Sequence, residues 1–125
     1  LYAIDAETGQ EQWAFETDAR VGSSPAVSGG TVYVGSNENY FYAIDAETGQ
    51  EQWAFENSAG VGSSPAVSGG TVYVGSEDRY LYAIDTATGE ERGAFETSGA
   101  VFSSPAVSGG TVYVGSVDGS LYAVE

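Results

Sequence analysis

The segment AIDAETGQEQW occupies residues 3–13 and recurs without a change at residues 43–53. A third copy, AIDTATGEERG, stands at residues 83–93, again forty residues further along. Each copy holds an Asp and, four residues later, a Gly, a combination typical of a tight turn between two β-strands. The spacing of the copies therefore indicates a tandem repeat built on hairpins.

The whole chain follows this period. Units 1–40 and 41–80 differ at seven positions, unit 81–120 diverges further, and residues 121–125 begin a fourth unit. A period near forty in a β-rich sequence is typical of a β-propeller and not of a helical repeat. We therefore expect an all-β fold, with residues 1–125 forming one partial β-propeller domain of four-stranded antiparallel blades, about three per chain.

Four short strands are predicted in each unit. In the second unit they are YFYAID (40–45), EQWAFE (51–56), SSPAVS (63–68) and TVYVGS (71–76), which alternate or are rich in β-branched and aromatic residues. The glycine pair at 69–70 supplies the positive φ angles of a two-residue hairpin loop.

Proline suggests the order of these strands. Pro25, Pro65 and Pro105 have no N–H to donate to a neighbouring strand, so their strand is predicted at an edge of the sheet. We assign it as the innermost strand, A. The TVYVGS strand is then B, the tyrosine-rich strand is C, and the strand that begins EQW is the outermost, D.

Composition excludes several classes of function. The chain has 125 residues, no Cys, no His, no Lys, and 18 acidic residues against three Arg, for a net charge of −15. Because nothing here could neutralise phosphates, we expect no binding to nucleic acid or to an anionic membrane. The apolar runs are too short for membrane insertion. The acidic, Lys-free composition resembles proteins of salt-loving archaea, and an engineered consensus sequence is the alternative origin.

The pattern A-x-D-x-x-T-G-x-x-x-W at 3–13 and 43–53 resembles the tryptophan-docking motif of the PQQ-like repeat family. This family forms the propeller blades of quinoprotein alcohol dehydrogenases and of an outer-membrane assembly lipoprotein. The resemblance covers the whole chain. The positions that match the motif are Ala3, Asp5, Thr8, Gly9, Trp13, Ala43, Asp45, Thr48, Gly49, Trp53, Ala83, Asp85, Thr88 and Gly89.

The resemblance implies a structural role for these residues. In the family each Trp packs on its own motif's Ala and on the Thr-Gly peptide of the next motif, which would place Trp13 on Thr48–Gly49 and Trp53 on Thr88–Gly89. The Asp and Thr would brace the turn through side-chain hydrogen bonds, and the glycine would leave its peptide uncovered. We therefore expect the tryptophans to join blades and not to bind a ligand.

The third motif lacks its tryptophan. Gly93 stands in its place, and no fourth motif follows within the 125 residues, since LYAVE stops at the third position of the motif. The docking residue is thus missing where its receptor is missing. Random decay of one motif is the alternative explanation.

Sequence differences gather on one predicted face. Six of the seven differences between the first two units fall in the D–A and B–C connections, which share one end of a blade. Such loops on a rigid body commonly bind partners. The alternative is that the sequence of exposed loops varies without functional selection. The candidate partner-binding residues are Asp18, Arg20, Asn37, Glu38, Asn39, Glu77, Asp78 and Arg79.

Catalytic and metal chemistry find little support. Cofactor-bearing quinoproteins carry a vicinal cysteine pair, and this chain has no cysteine. The acidic clusters at 37–39 and 77–79 lack the ligand spacing of an EF-hand, and Asp118-Gly119 fits a hairpin turn. Serine pairs such as Ser23-Ser24 have no His or Lys to activate them. We expect no enzymatic activity, no PQQ and no Ca²⁺.

Three blade equivalents should not close a ring, because propellers typically have at least four blades. We expect either copies that assemble, with six or nine blades in all, or a piece of a longer propeller. The first functional hypothesis is a non-enzymatic scaffold for a protein partner or for self-assembly, extracellular or at the cell surface. The alternatives are a fragment of a PQQ-dependent dehydrogenase-like protein and a designed or recently amplified repeat without specific activity.

Overall fold

A computed structural model describes all 125 residues as thirteen β-strands in four antiparallel sheets. The strands are β1 (Tyr2–Ile4), β2 (Glu11–Ala14), β3 (Ala26–Ser28), β4 (Thr31–Gly35), β5 (Tyr40–Asp45), β6 (Glu51–Glu56), β7 (Ala66–Ser68), β8 (Thr71–Gly75), β9 (Tyr80–Asp85), β10 (Glu91–Glu96), β11 (Ala106–Ser108), β12 (Thr111–Gly115) and β13 (Leu121–Val124). The structure contains no helix that could span a membrane.

The sheets have the shape of propeller blades. The second sheet has the order β3-β4-β5-β6 and the third β7-β8-β9-β10, so both are complete four-stranded meanders. The first sheet contains only β1 and β2, and the fourth contains β11, β12 and β13. The predicted fold class and the A–B–C–D strand order are therefore confirmed. The division of the chain at residues 40, 80 and 120 and its status as a single domain stay predictions.

The hairpins form as their sequences predict. Gly69 and Gly70 have φ angles of 57° and 77°, which places both in the left-handed region that a two-residue turn of this kind requires. β7 lies beside both β3 and β11, so the A strands of successive sheets converge. This convergence agrees with strand A being the innermost strand.

The prediction for strand A was wrong at its start. The strand over 63–68 is only Ala66–Ser68, and the corresponding prolines, Pro25, Pro65 and Pro105, all precede their strands. Residues 63–65 leave the ladder because Pro65 has no N–H and because the Ser63 hydroxyl accepts a hydrogen bond from the Gly75 N–H at 3.1 Å. Ser76 likewise lies just outside strand B.

The core consists of three interfaces between successive sheets. We call the side of a sheet that carries Tyr33, Phe41, Ala43 and Trp53, or their equivalents, its front face. The back face carries Val32, Val34, Tyr42 and Ile44, or their equivalents. The front face of the second sheet packs on Val72, Val74 and Ile84 of the third sheet's back face.

The other two interfaces repeat this arrangement. Trp13 and Phe15 of the first sheet pack on the back face of the second sheet. Leu81 and Phe95 of the third sheet pack with Val112 of the fourth. Each internal sheet is therefore covered on both sides, whereas the two end sheets each have one free side.

Candidate functional site

The docking turns have one geometry in all three motifs. The Asp45 Oδ1 atom accepts hydrogen bonds from the N–H groups of Glu47 and Thr48, each at 2.9 Å. Asp5 and Asp85 make the same pair of bonds, and Gly49 has a φ angle of 76°. The hydrogen bond from Thr48, followed by that from Glu47, lowers the pKa of Asp45, because these bonds favour the charged form.

The second half of each turn is held by the threonine. The Thr48 Oγ1 atom accepts a hydrogen bond from the Gln50 N–H at 3.3 Å, and Thr8 and Thr88 do the same for Gln10 and Glu90. Side chains of the motif thus satisfy backbone donors that the short hairpin leaves unpaired.

Each tryptophan lies on the glycine of the next sheet. A Cβ atom built on Gly49 would lie 2.6 Å from Cδ2 of Trp13, and one on Gly89 would lie 2.7 Å from the same atom of Trp53. Ala3 and Ala43, in turn, are the cross-strand partners of Trp13 and Trp53. Only glycine fits under the indole at this distance. The motif therefore supplies both the indole ring and the glycine on which the ring of the preceding motif docks.

The indole also makes a hydrogen bond that the sequence did not suggest. Trp13 Nε1 donates to the carbonyl of Ala46 at 3.0 Å, and Trp53 Nε1 donates to that of Thr86 at 2.9 Å. Both acceptors directly follow the motif Asp and lie 33 residues after the donor. The 33-residue spacing between each Trp and its acceptor is constant in the sequence. That the indole N–H donates to this carbonyl depends on how neighbouring blades pack.

Two motif positions make no docking contact within these residues: the glycine of the first motif and the residue that replaces Trp in the third. Gly9 and Gly93 each have nothing within 4 Å of a built Cβ atom. Gly9 belongs to a docking turn that no Trp covers. Gly93 leaves an empty cavity of about 370 Å³ between the third and fourth sheets.

The residues of the predicted partner face come together in pairs of loops. The Asn37 N–H donates to the carbonyl of Arg20 at 3.0 Å, and the Asp18 N–H donates to Glu38 Oε2 at 3.0 Å. In the next pair of loops the Glu77 N–H donates to the carbonyl of Gly60. The D–A and B–C loops are therefore tied to each other and share one end of the sheets.

Asn39 and Arg79 lie at the tips of the B–C turns. They have φ angles of 79° and 82°, and Gly119 occupies the equivalent position with 91°. Left-handed backbone is tolerated by Asn and unusual for Arg, so Arg79 stores some strain at this turn. Its side chain and those of Asp18, Arg20, Asn37, Asn39 and Glu77 are exposed.

Two of the face's acids have an internal role that sequence reasoning missed. The Tyr42 hydroxyl donates to Glu38 Oε1 at 2.6 Å, Tyr82 donates to Asp78, and Tyr122 donates to Asp118 Oδ2 at 2.6 Å. The signal was present, since an acid stands four residues before a strand-C tyrosine in every unit. Burial, followed by the hydrogen bond to Asp78, raises the pKa of Tyr82.

The serines before the A strands make hydrogen bonds to the ends of the B strands. The hydroxyls of Ser23, Ser63 and Ser103 accept hydrogen bonds from the N–H groups of Gly35, Gly75 and Gly115. No three His, Cys, Asp or Glu side chains are grouped so as to hold a metal ion. The ion pair joins Arg92 to Asp85, and the Arg92 Nη1 atom also donates to Thr71 Oγ1 at 2.8 Å.

Solved structures share this arrangement of sheets. BamB from Moraxella catarrhalis matches 98% of this chain at 26% identity, with a TM-score of 0.86, and the match covers 38% of the BamB chain. The computationally designed Ika4 protein matches 96% of this chain and 75% of its own at 20% identity, with a TM-score of 0.86. The quinohemoprotein alcohol dehydrogenase ADHIIG from Pseudomonas putida HK5 matches 92% of this chain and 25% of its own at 23% identity, with a TM-score of 0.82.

The chain thus spans about two fifths of the BamB chain, and the last two likenesses concern the fold alone. No match was found among curated protein sequences. The family described as outer membrane protein assembly factor BamB matches residues 1–62 and 42–125, which together cover the whole chain. This chain of PQQ-like repeat propeller blades therefore belongs to the BamB family.

Proposed function

We propose that the chain is a non-enzymatic β-propeller scaffold whose two end sheets join further blades of the same kind, supplied by a second copy. The observation that carries this proposal is the match between the two free sides. Leu121 and Tyr113, on the front face of the fourth sheet, are 76% and 41% exposed, whereas the equivalent Phe41 and Tyr33 are 0% and 3% exposed.

The first sheet offers the complementary surface. Tyr2 and Ile4 are 69% and 58% exposed on its back face, whereas their equivalents Tyr42 and Ile44 are buried. Front faces pack on back faces at all three interfaces of the chain. A front face at one end and a back face at the other are therefore complementary, and exposed apolar patches of this kind mark interaction surfaces.

The free strand edges also favour assembly. The fourth sheet ends at β13 without an outer strand, and the first sheet begins at β1 without inner strands. Unpaired edges invite pairing with another chain. Stacking of the two end sheets would cover the apolar faces, and pairing along β13 or β1 would cover a strand edge.

The test is the mass in solution, measured by light scattering in molar KCl. We expect a multiple of 12.9 kDa for the chain, and a mass near 12.9 kDa itself for Leu121→Glu, which places a charge on the free front face. Val117→Glu is the matched control, because Val117 is 64% exposed in a loop of the same sheet and should leave the mass unchanged. A monomeric chain would contradict self-assembly and assign the missing blades to a longer polypeptide.

A protein partner at the loop face is the second candidate. Asp18 and Glu77 are exposed there on loops that hydrogen bonds hold in place, and the net charge of −15 favours a basic partner. A lysine-rich peptide should lose affinity for a Glu77→Lys variant more than for Glu51→Lys, which makes the same charge change on outer strand β6. Equal losses would argue against a specific face.

The location follows from the family. Because the family is described as an outer membrane protein assembly factor, we propose an extracellular or cell-surface location. The acidic composition favours a halophilic source. The absence of a cofactor is also a proposal. Specific binding of PQQ with Ca²⁺ would instead support the dehydrogenase alternative. A chain that stays monomeric and binds neither peptide nor quinone would support the designed or amplified repeat without activity.

A further inference from the structure

The empty cavity beside Gly93 has the position that an indole ring fills at the other two interfaces. Trp13 and Trp53 occupy the same position in successive forty-residue repeats, and Gly93 stands forty residues after Trp53. We propose that this cavity, the Gly93 slot, is a binding site for a neutral planar aromatic molecule of about the size of indole.

The walls of the slot correspond residue by residue to the surroundings of Trp53. Trp53 shares its buried cluster with Tyr33, Phe41, Ala43, Val72 and Ile84. Forty residues further along, the slot is lined by Tyr73, Leu81, Ala83, Val112 and Val124. The side walls that surround the Trp53 indole are therefore present at the next interface, where the chain supplies no ring. The positions equivalent to Thr86 and Gly89, on which that indole docks, lie outside the 125 residues.

The size and the largely apolar lining of the slot suit an aromatic ligand. Its volume of about 370 Å³ falls within the range of small-molecule sites, roughly 300–1,000 Å³. Apolar cavities of about 150 Å³ already bind benzene. Leu81 and Val112, at 4% and 5% exposed, form a buried floor, and Tyr73 offers a ring for an offset or edge contact.

The charges at the rim select a neutral ligand. Arg92 lines the slot, but its guanidinium already bonds Asp85 and Thr71. Glu125 adds a carboxylate at the rim, and the chain as a whole carries −15. An aromatic carboxylate would meet repulsion without a free cation, so the uncharged ring is preferred.

Indole itself is the probe. In molar KCl, indole titrated into the ¹⁵N-labelled chain should shift the amide signals of Gly93, Val112 and Val124 most, in a saturable manner. Gly93→Trp, which fills the slot covalently, should bind indole at least tenfold more weakly. Trp13→Phe, at an interface that is already filled, serves as the control and should keep the affinity of the unmodified chain.

Four results would overturn the assignment: no saturable binding, shifts centred away from the slot, equal binding by Gly93→Trp, or a lower affinity for Trp13→Phe. Should Gly93→Trp fail to fold, the location of the shifts in the unmodified chain decides alone. Indole-3-carboxylate should bind several-fold more weakly than indole, and equal or tighter binding would contradict the preference for a neutral ring.

Discussion

Trp13 covers Gly49 of the next sheet so closely that a methyl group on that glycine would lie 2.6 Å from the indole. The same contact joins Trp53 to Gly89, and each indole N–H bonds the carbonyl that follows the motif Asp. Adjacent blades are thus held by one contact that combines apolar stacking with a hydrogen bond. Its consequences can be tested with pairs of equivalent positions, because the repeat supplies internal controls.

We expect Gly49→Ala to destabilise the fold more than Gly9→Ala. Both glycines have positive φ angles, 76° and 74°, so each substitution should cost about 1–2 kcal/mol of unfolding free energy. Only Gly49 lies under an indole, and the clash should add about 1–3 kcal/mol. Urea denaturation of the two variants measures the difference, and equal values would contradict the docking contact.

Gly75→Ala should be costly, whereas Gly115→Ala should be tolerated. A Cβ atom on Gly75 would lie 2.3 Å from Val101 Cγ1 and 2.7 Å from the Val101 carbonyl, whereas on Gly115 the nearest atom is Ser103 Oγ at 3.5 Å. We expect a loss of about 1–3 kcal/mol for the first variant and under about 1 kcal/mol for the second. Similar melting temperatures for the two would mean that the interface between the third and fourth sheets is not packed as described.

The link between strand-C tyrosines and the B–C loop can be tested with Tyr82→Phe. The substitution removes the hydrogen bond to Asp78 and should cost about 1 kcal/mol of unfolding free energy. Tyr2→Phe is the control, because it keeps the ring on the free back face and removes a hydroxyl that makes no hydrogen bond within the chain, and it should change stability little. If both variants match the parent chain, these hydrogen bonds contribute nothing to the fold.

Acid should remove the contribution of the docking turn. The folded-state pKa of Asp45 is lowered, so its stabilising effect is present above the unfolded pKa of about 3.9 and disappears as pH falls through the folded pKa. The stability gap between the parent chain and Asp45→Ala should be full at pH 7 and should close as the pH falls below the unfolded pKa and then through the lowered folded pKa. Glu47→Ala in the same turn is the control, and a gap that stays constant with pH would contradict the role of the carboxylate.

Salt should stabilise the fold. With 18 acidic residues against three Arg, repulsion among surface carboxylates dominates at low ionic strength, and salt screens it. We expect the melting temperature to rise from dilute buffer to molar KCl, with most of the gain at the low end of the range. Equal melting temperatures would show that repulsion is unimportant.

The sequence predicted local features well because they repeat. Strand order, the glycine pair of the A–B hairpin and the Asp-centred turn all depend on neighbouring residues, and each returned every forty positions. The bond from the Gly75 N–H to the Ser63 hydroxyl was missed because it joins segments that only the folded sheet brings together. The bond from Tyr82 to Asp78 was missed although the four-residue spacing recurs in the sequence. Pro65 was placed inside a strand because its neighbours alternate, although its missing N–H excludes it from the ladder.

The end sheets were beyond sequence reasoning for a different reason. Whether Leu121 and Tyr2 are covered depends on blades outside residues 1–125, and no pattern within these residues fixes the identity of those blades. Similarly, replacement of Trp by Gly93 was visible in the sequence, but the persistence of the slot walls was not. The walls come from Leu81 and Val112, which lie on different sheets.

The docking contact has one direct measurement. The chain contains two tryptophans, so a ¹H–¹⁵N spectrum shows two indole N–H signals, and their exchange with D₂O can be followed one by one. We predict that both signals are protected from exchange, since Trp13 donates to Ala46 and Trp53 to Thr86, and that Gly49→Ala removes the protection of Trp13 alone. Exchange of either signal at the rate of a free peptide in the unmodified chain would contradict the claim that docked indoles join the blades.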